Sequence, residues 1–270
     1  MTPSGAALPS RPGLLVPVLS LLRREMIRFL RQRSRVFGAL GQPILFWILL
    51  GSGFGASFRP PGAAPRTSYM AWFFPGIVVM VVLFTAIFST ISIIEDRKEG
   101  FLQAVLVAPV PRMAIVLGKI LGGTLLAVGQ GAILLLASPL VGLPLRPVPF
   151  LLSVAALTGM AFALTAVGLA IAWRMDSTQG FHMVMNLFLL PMWLLSGALF
   201  PVEGTPLWLR VTMKANPLTY GVALLRHAMA GAASSPHLPP VSLCLMVTVL
   251  FCLLTLGIST SLVHFRRQTG

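Results

Sequence analysis

The sequence predicts an all-α integral membrane protein with six membrane-spanning helices, and three observations carry that prediction. The 270 residues are 56% hydrophobic and only 10% charged, with a mean hydropathy of +0.90, whereas soluble domains are about one quarter charged. Apolar runs near 36–56, 69–94, 114–141, 148–172, 181–200 and 241–264 match the roughly 20 residues needed to cross a bilayer. Of the twenty Lys and Arg residues, fourteen fall on one side of these spans and six on the other, which places both termini in the cytoplasm. Composition therefore excludes a disordered chain, a coiled coil and a disulfide scaffold. The charges behind the net +14 sit in the termini and the connections, with Lys119 at the start of span three, so they mark membrane orientation rather than a nucleic-acid binder.

Residues 1–35 form a cytoplasmic N-terminus. Arg11 followed by Gly13 to Leu22 imitates a signal peptide, but Pro17 interrupts the run and no small-residue cleavage site follows. At 100° per residue Leu15, Val18, Leu19, Leu22, Met26, Phe29 and Leu30 share one arc, with Arg24, Arg28, Arg31 and Arg35 opposite. This reads as a basic amphipathic helix lying among inner-leaflet headgroups. Arg33 falls inside the apolar arc, so the helix should break there and turn into span one.

Within the spans no acid lies at mid-membrane, where a cation-coupled transporter would need one. Glu25, Glu95, Asp96, Glu99 and Asp176 fall on the cytoplasmic side and Glu203 outside. Lys119 opens the third span near the interface and reads as a snorkelling anchor. Three polar stripes keep helical spacing: Thr85, Ser89 and Ser92; Gln179, His182 and Asn186; Thr248, Thr255 and Ser259. Such residues mostly make interhelical bonds worth about 0.6 kcal/mol. Ser89, Gln179, His182 and Asn186 are the candidates for a substrate path, the second stripe favoured because Gln and Asn cost more to bury than Ser or Thr. Gly118 and Gly122 form a small-x-x-x-small packing pair. Cys244 and Cys252, eight positions apart on one helix, stand about 12 Å from each other and cannot be bridged. The four histidines have no second ligand at metal-binding spacing, and Gly118-Lys119 lacks the glycine of a phosphate loop. The chain therefore carries no catalytic, cofactor or metal site of its own.

Two segments are not spans. Residues 95–112 run Glu95-Asp96-Arg97-Lys98-Glu99-Gly100-Phe101-Leu102 and continue to Pro109-Val110-Pro111-Arg112. They combine a dense charge run, a turn-permitting glycine, a short amphipathic stretch and a Pro-x-Pro stop. Phe101, Leu102 and Val105 offer an apolar face suited to docking on a partner. On the outer side, residues 201–231 hold Thr205-Pro206 and Asn216-Pro217, each an N-cap with proline at the first helical position, and Gly231 as a C-terminal cap. Two helices of about nine and fourteen residues follow, carrying Trp208 and Tyr220. Both are too short to cross, so they should form a re-entrant hairpin packed on protein.

The ordered set of the basic N-terminal helix, the segment from Glu95 to Arg112, Ser196-Gly197-Ala198-Leu199-Phe200-Pro201 and Asn216-Pro217-Leu218-Thr219-Tyr220 ahead of Arg226 resembles the ABC-2 type transporter permeases. That family includes drug-resistance, polysaccharide and lipid exporters. The resemblance covers about residues 17–265, with 36–264 as the transmembrane domain and 265–270 as a cytoplasmic tail. It implies a multi-pass protein of the bacterial inner membrane, working as a homodimer with two copies of a separate ABC ATPase subunit. ATP and Mg would bind that partner, and this chain would not be an enzyme. The resemblance makes Arg24, Arg28 and Arg31 part of a connecting helix. It makes Glu95, Asp96, Arg97, Glu99, Gly100, Phe101, Leu102 and Pro109 a coupling segment, with Phe101 standing where family members often carry Thr. Trp208, Asn216, Pro217 and Tyr220 would shape the outer hairpin. The function expected is ATP-driven outward movement of a hydrophobic or amphipathic substrate such as a drug, lipid or glycolipid. A polysaccharide-exporting permease is the alternative within the family. A stand-alone secondary transporter and a lipid-acting membrane enzyme are the rivals from other classes, the latter disfavoured because no pair of catalytic groups shares one depth.

Overall fold

The computed structural model describes residues 13–54, 68–230 and 238–265 and, among these, is entirely helical. Gly231, His237, Arg266, Arg267, Arg59 and Arg66 lie outside the described residues, as do the side chains of Arg33 and Arg35.

Helix α1, Leu15–Arg31, ends where Gln32 leaves helical geometry, and α2, Arg33–Phe54, starts at once. The break therefore falls where Arg33 interrupts the apolar arc. Helix α3, Tyr69–Ser89, is capped by Ser68, whose hydroxyl accepts from the Ala71 amide at 3.2 Å. It is buried on every side from Phe73 to Ile87, as a helix hydrophobic all round should be, and forms the axis of the bundle. Ser89 and Thr90 donate to the carbonyls of Ala86 and Ile87, a back-bonding that bends helices. There the chain passes into α4, Ile91–Lys98.

Helix α5, Phe101–Val107, follows after one turn. Helix α6, Arg112–Leu136, closes with a 3-10 turn over Ser138–Val141. Helix α7, Pro147–Ala172, packs on α3 and α6. Helix α8, Thr178–Leu194, is capped by the Ser177 hydroxyl. Then come α9, Leu207–Ala215, α10, Pro217–Ala230, and α11, Val241–Phe265. Helix α11 packs on α7 and α10. Ser259 of α11 donates to the Ala166 carbonyl of α7 at 2.8 Å, and the Cys252 thiol donates to that of Gly159. The third polar stripe thus serves helix packing, with Thr248 and Thr255 bonded along α11 itself.

Four described helices are long and apolar enough to cross a membrane: Tyr69–Lys98, Arg112–Leu136, Pro147–Ala172 and Val241–His264. The expected runs at 36–56 and 181–200 are shorter. The apolar part of α2 is Leu40–Phe54, because Arg33 and Arg35 occupy its first turns. Helix α8 stops at Leu194, six residues early. Its end is fixed by Trp193, whose indole N–H donates to the Gly76 carbonyl at 2.7 Å, and by Gly197 at φ +76°.

Candidate functional site

Helix α1 lies across α6 because two glycines make room for it. A Cβ at Gly118 would stand 2.7 Å from that of Leu21, and one at Gly122 would stand 2.9 Å from that of Glu25. The sequence-predicted packing pair is therefore the seat of the N-terminal helix. The face α1 buries is not the one its pattern suggested. Val18, Leu21, Glu25 and Phe29 are buried, while Leu15, Leu19 and Leu30 are exposed. The buried stripe is turned about 80° from the middle of the apolar arc. Arg24 and Arg28 consequently face protein rather than headgroups; Arg31 alone of the three stays exposed.

What they face is a buried charge cluster. Asp96, at 0% exposure, accepts two hydrogen bonds from the Arg24 guanidinium, at 2.7 and 3.0 Å, and one from Arg28 at 2.6 Å. Arg28 also pairs with Glu95 at 3.0 Å and Glu99 at 3.1 Å. From below, Lys119 of α6 donates to Glu25, to Asp96 at 2.5 Å and to Ser92 at 3.1 Å. Lys119 is 5% exposed, so the expectation of a snorkelling anchor is corrected. Its stem cannot reach the interface because α1 covers it, and charges so buried persist only when paired and hydrogen-bonded. Burial works against the charge of Arg24, yet the hydrogen bond to and charge of Asp96, with Glu25 and Glu99, raise it above its ordinary range. The cluster ties α1, α4 and α6 into one body.

The segment 95–112 turns as expected. Gly100 adopts φ +76°, a left-handed conformation that costs other residues about 1–2 kcal/mol, and reverses the chain from α4 into α5. Its apolar face points inward rather than outward. Leu102 is buried against Ile93, Val116, Trp173 and Val263, and the Phe101 ring lies 3.6 Å beneath the Arg24 guanidinium. The surface left free belongs to Lys98, Glu99, Gln103, Ala104, Pro109 and Val107, the last 86% exposed. Arg97 reaches the turn after α7, donating to the carbonyls of Trp173 at 2.5 Å and Met175 at 3.0 Å and to Asp176 at 2.8 Å. Arg112 donates to the Val263 carbonyl at the end of α11.

Above the cluster a recess of about 350 Å³ lies between α1, α2, α3 and α8. His182 and Asn186 line it, as expected of a substrate path, together with Gln42 and Thr85. Ser89 and Gln179 are not part of it. Ser89 is buried facing Gly123 of α6, and Gln179 is exposed one turn before His182. The remainder is apolar, including Phe29, Phe84 and Phe88.

At the other end of the bundle, Asn216 caps α10. Its Oδ1 accepts from the Leu218 amide at 3.0 Å and its Nδ2 donates to the Met192 carbonyl at 2.6 Å. Pro217 opens α10, whose Leu218, Val222 and Leu225 are buried in the core. Tyr220 donates to the Lys214 carbonyl at 2.9 Å, bracing α9 on α10. Thr205 does not cap α9: Pro206 holds that position, and the Thr205 hydroxyl donates to the Val202 carbonyl instead. Trp208 is 70% exposed.

Sequence reasoning missed Glu25 and Lys119 as partners, and Phe29 and Gln42 as recess walls; of the stripe Thr85, Ser89 and Ser92, it is Thr85 that lines the recess. The available signal for the first pair was that Lys119 stands between the two small residues that admit a neighbouring helix. Among the described residues, no three His, Cys, Asp or Glu side chains group as metal ligands, and the acids of the cluster are taken up by cations.

Residues 17–230 match the family model described as ABC-2 type transporter. The chain is 28% identical to Nodulation protein J of Rhizobium leguminosarum bv. trifolii, covering 98% of each protein. It is 29% identical to the ycf38 transport permease of Cyanophora paradoxa over 76% of this chain and 71% of that one. It is 28% identical to the multidrug ABC transporter permease YbhR of Escherichia coli over 58% of this chain and 43% of the relative.

Proposed function

The chain belongs to the ABC-2 type transporter family, and from that premise we propose that it is the permease subunit of an ATP-driven exporter. It works as a homodimer with two copies of a separate ABC ATPase that binds ATP and Mg. Its substrate is hydrophobic or amphipathic, in line with the uncharged, phenylalanine-rich recess and with a relative named as a multidrug permease. Helices α2 and α8 complete a six-span topology in the bacterial inner membrane, with both termini cytoplasmic and α9–α10 as the outer re-entrant hairpin.

The observation that carries this reading is the charge cluster. A transporter driven from outside needs its docking segment rigidly joined to the helices that must move. Here the α4–α5 turn cannot shift without dragging α1 and α6, because Asp96 is bonded to Arg24, Arg28 and Lys119 at once. The ATPase dimer, closing on ATP, presses on Glu99, Gln103 and Val107. It thereby biases the permease pair between inward-open and outward-open arrangements.

Reconstitution with the cognate ATPase tests this. Gly100→Pro and Glu99→Lys should insert normally and hydrolyse ATP without moving substrate. Normal substrate-stimulated hydrolysis and transport in both would remove the coupling role. Flux driven by an ion gradient in vesicles holding the permease alone would replace the reading with a secondary transporter.

A further inference from the structure

The recess beside α3 and α8 has a lining chemistry that narrows its ligand, and this narrowing rests on the export reading above. Thr85, at the rear wall, gives its proton to Gln130 Oε1 at 2.5 Å. Gln130 itself is 5% exposed, and its Nε2 finds no partner among the described residues. The Thr85 oxygen, having given its proton to Gln130, can still accept a hydrogen bond. Gln42 and Asn186 each add an amide that both donates and accepts. Phe84 and Phe88 supply aromatic surface, with the His182 ring tilted at 38° against Phe88, 4.7 Å between centroids. Among the described lining residues there is no carboxylate, lysine or arginine. Against the described lining, a charged headgroup would lose hydration without gaining a counter-charge from those residues, a cost far above that of a hydrogen-bonded neutral group.

From Ile91, at the start of α4, to Thr85 of α3 the recess climbs about 9 Å. Its volume of about 350 Å³ is at the lower end of ligand pockets. That space takes one headgroup and the first methylenes of a chain, not a polymer.

We infer that this recess binds the head of an uncharged, hydroxyl-bearing amphiphile, held by Thr85, Gln42 and Asn186 and stacked on Phe88. A hydroxyl fits because it donates to Thr85 and accepts from the amides. Cationic and anionic amphiphiles of the same chain length are disfavoured.

Purified permease in nanodiscs of zwitterionic lipid, with no ATPase, is photolabelled with a twelve-carbon alkyl glucoside carrying a diazirine on its chain and read by mass spectrometry. Labels should fall on peptides holding residues 84–91 and 182–186. Unlabelled alkyl glucoside should compete at roughly tenfold lower concentration than dodecyltrimethylammonium or dodecyl sulfate. Thr85→Val and Asn186→Leu should each weaken labelling about five- to tenfold, the worth of one hydrogen bond, while Thr85→Ser retains it. Equal or better competition by either charged amphiphile overturns the inference. So does labelling that ignores these variants, or a recess that takes no label because a second copy of the chain fills it. Since no nucleotide enters the assay, failure of coupling to an ATPase would leave this selectivity intact. Conversely, loss of selectivity here would leave the coupling experiment standing.

Discussion

Replacing Lys119 by Met removes the cation between Glu25 and Asp96 with little change in side-chain volume. Asp96 keeps Arg24 and Arg28, but among the described residues Glu25 is left with only the Arg24 guanidinium at 3.6 Å. Both carboxylates lie below a tenth exposed, so solvent cannot take over. Breaking a buried pair costs about 3–5 kcal/mol. The surviving arginines argue for about 3 kcal/mol, or a fall of roughly 6–12 °C in Tm for a domain of this size. Adding Glu25→Gln removes the stranded charge, so the double variant should regain all but about 1 kcal/mol and be roughly 2 kcal/mol more stable than Lys119→Met alone. The assay is thermal unfolding of the detergent-solubilised permease by size exclusion, at one heating rate because unfolding is irreversible. A single variant that unfolds within 1–2 °C of the parent, or a double variant as unstable as the sum of its parts, would refute the argument that Lys119 is a buried, paired charge.

Gly122→Val puts a branched side chain where even a Cβ would stand 2.9 Å from that of Glu25. It should lift α1 off α6 at a cost of about 1–3 kcal/mol, read as new protease cleavage near Arg23, whereas Gly129→Ala on the open side of α6 should not. Gly100→Ala should cost about 1–2 kcal/mol of stability for its left-handed turn, measured by the same unfolding assay. Asn216→Ala should cost about 1–2 kcal/mol through loss of the α10 cap, while Trp208→Ala should leave Tm unchanged. In transport assays Trp208→Ala and Tyr220→Ala should matter more than Pro206→Ala and Pro217→Ala, and the reverse ranking would count against the outer hairpin.

Local signals carried the reading of this chain further than distant ones. The start of α10 follows from Asn216-Pro217, because the cap and the fixed proline torsion are encoded in adjacent residues. The break at Arg33 and the turn at Gly100 were equally local. Lys119 was misread because Glu25, its partner, lies 94 positions away, and no periodicity within α6 announces what will cover it. The rotation of α1 was hidden for a related reason. Its pattern shows which residues avoid water, yet lipid and protein satisfy Leu15 and Leu19 alike, so only packing against Gly118 and Gly122 selects the buried side. Ser89 and Thr85 sit one turn apart on a helix buried all round, where a stripe of hydroxyls gives no indication of which one meets a cavity. The inward turn of Leu102 likewise depended on apolar neighbours from α6, α7 and α11.

The grip of Arg97 on the stretch from Trp173 to Asp176 has a bearing on how the protein can be engineered. Short surface connections between helices ordinarily accept an inserted epitope or an extra residue. This one has its carbonyls committed to a guanidinium from another helix, so its length is fixed as firmly as that of a helix turn. Tags and fluorophores belong instead at Pro144–Leu145, which are exposed and, among the described residues, have no backbone group held by a side chain.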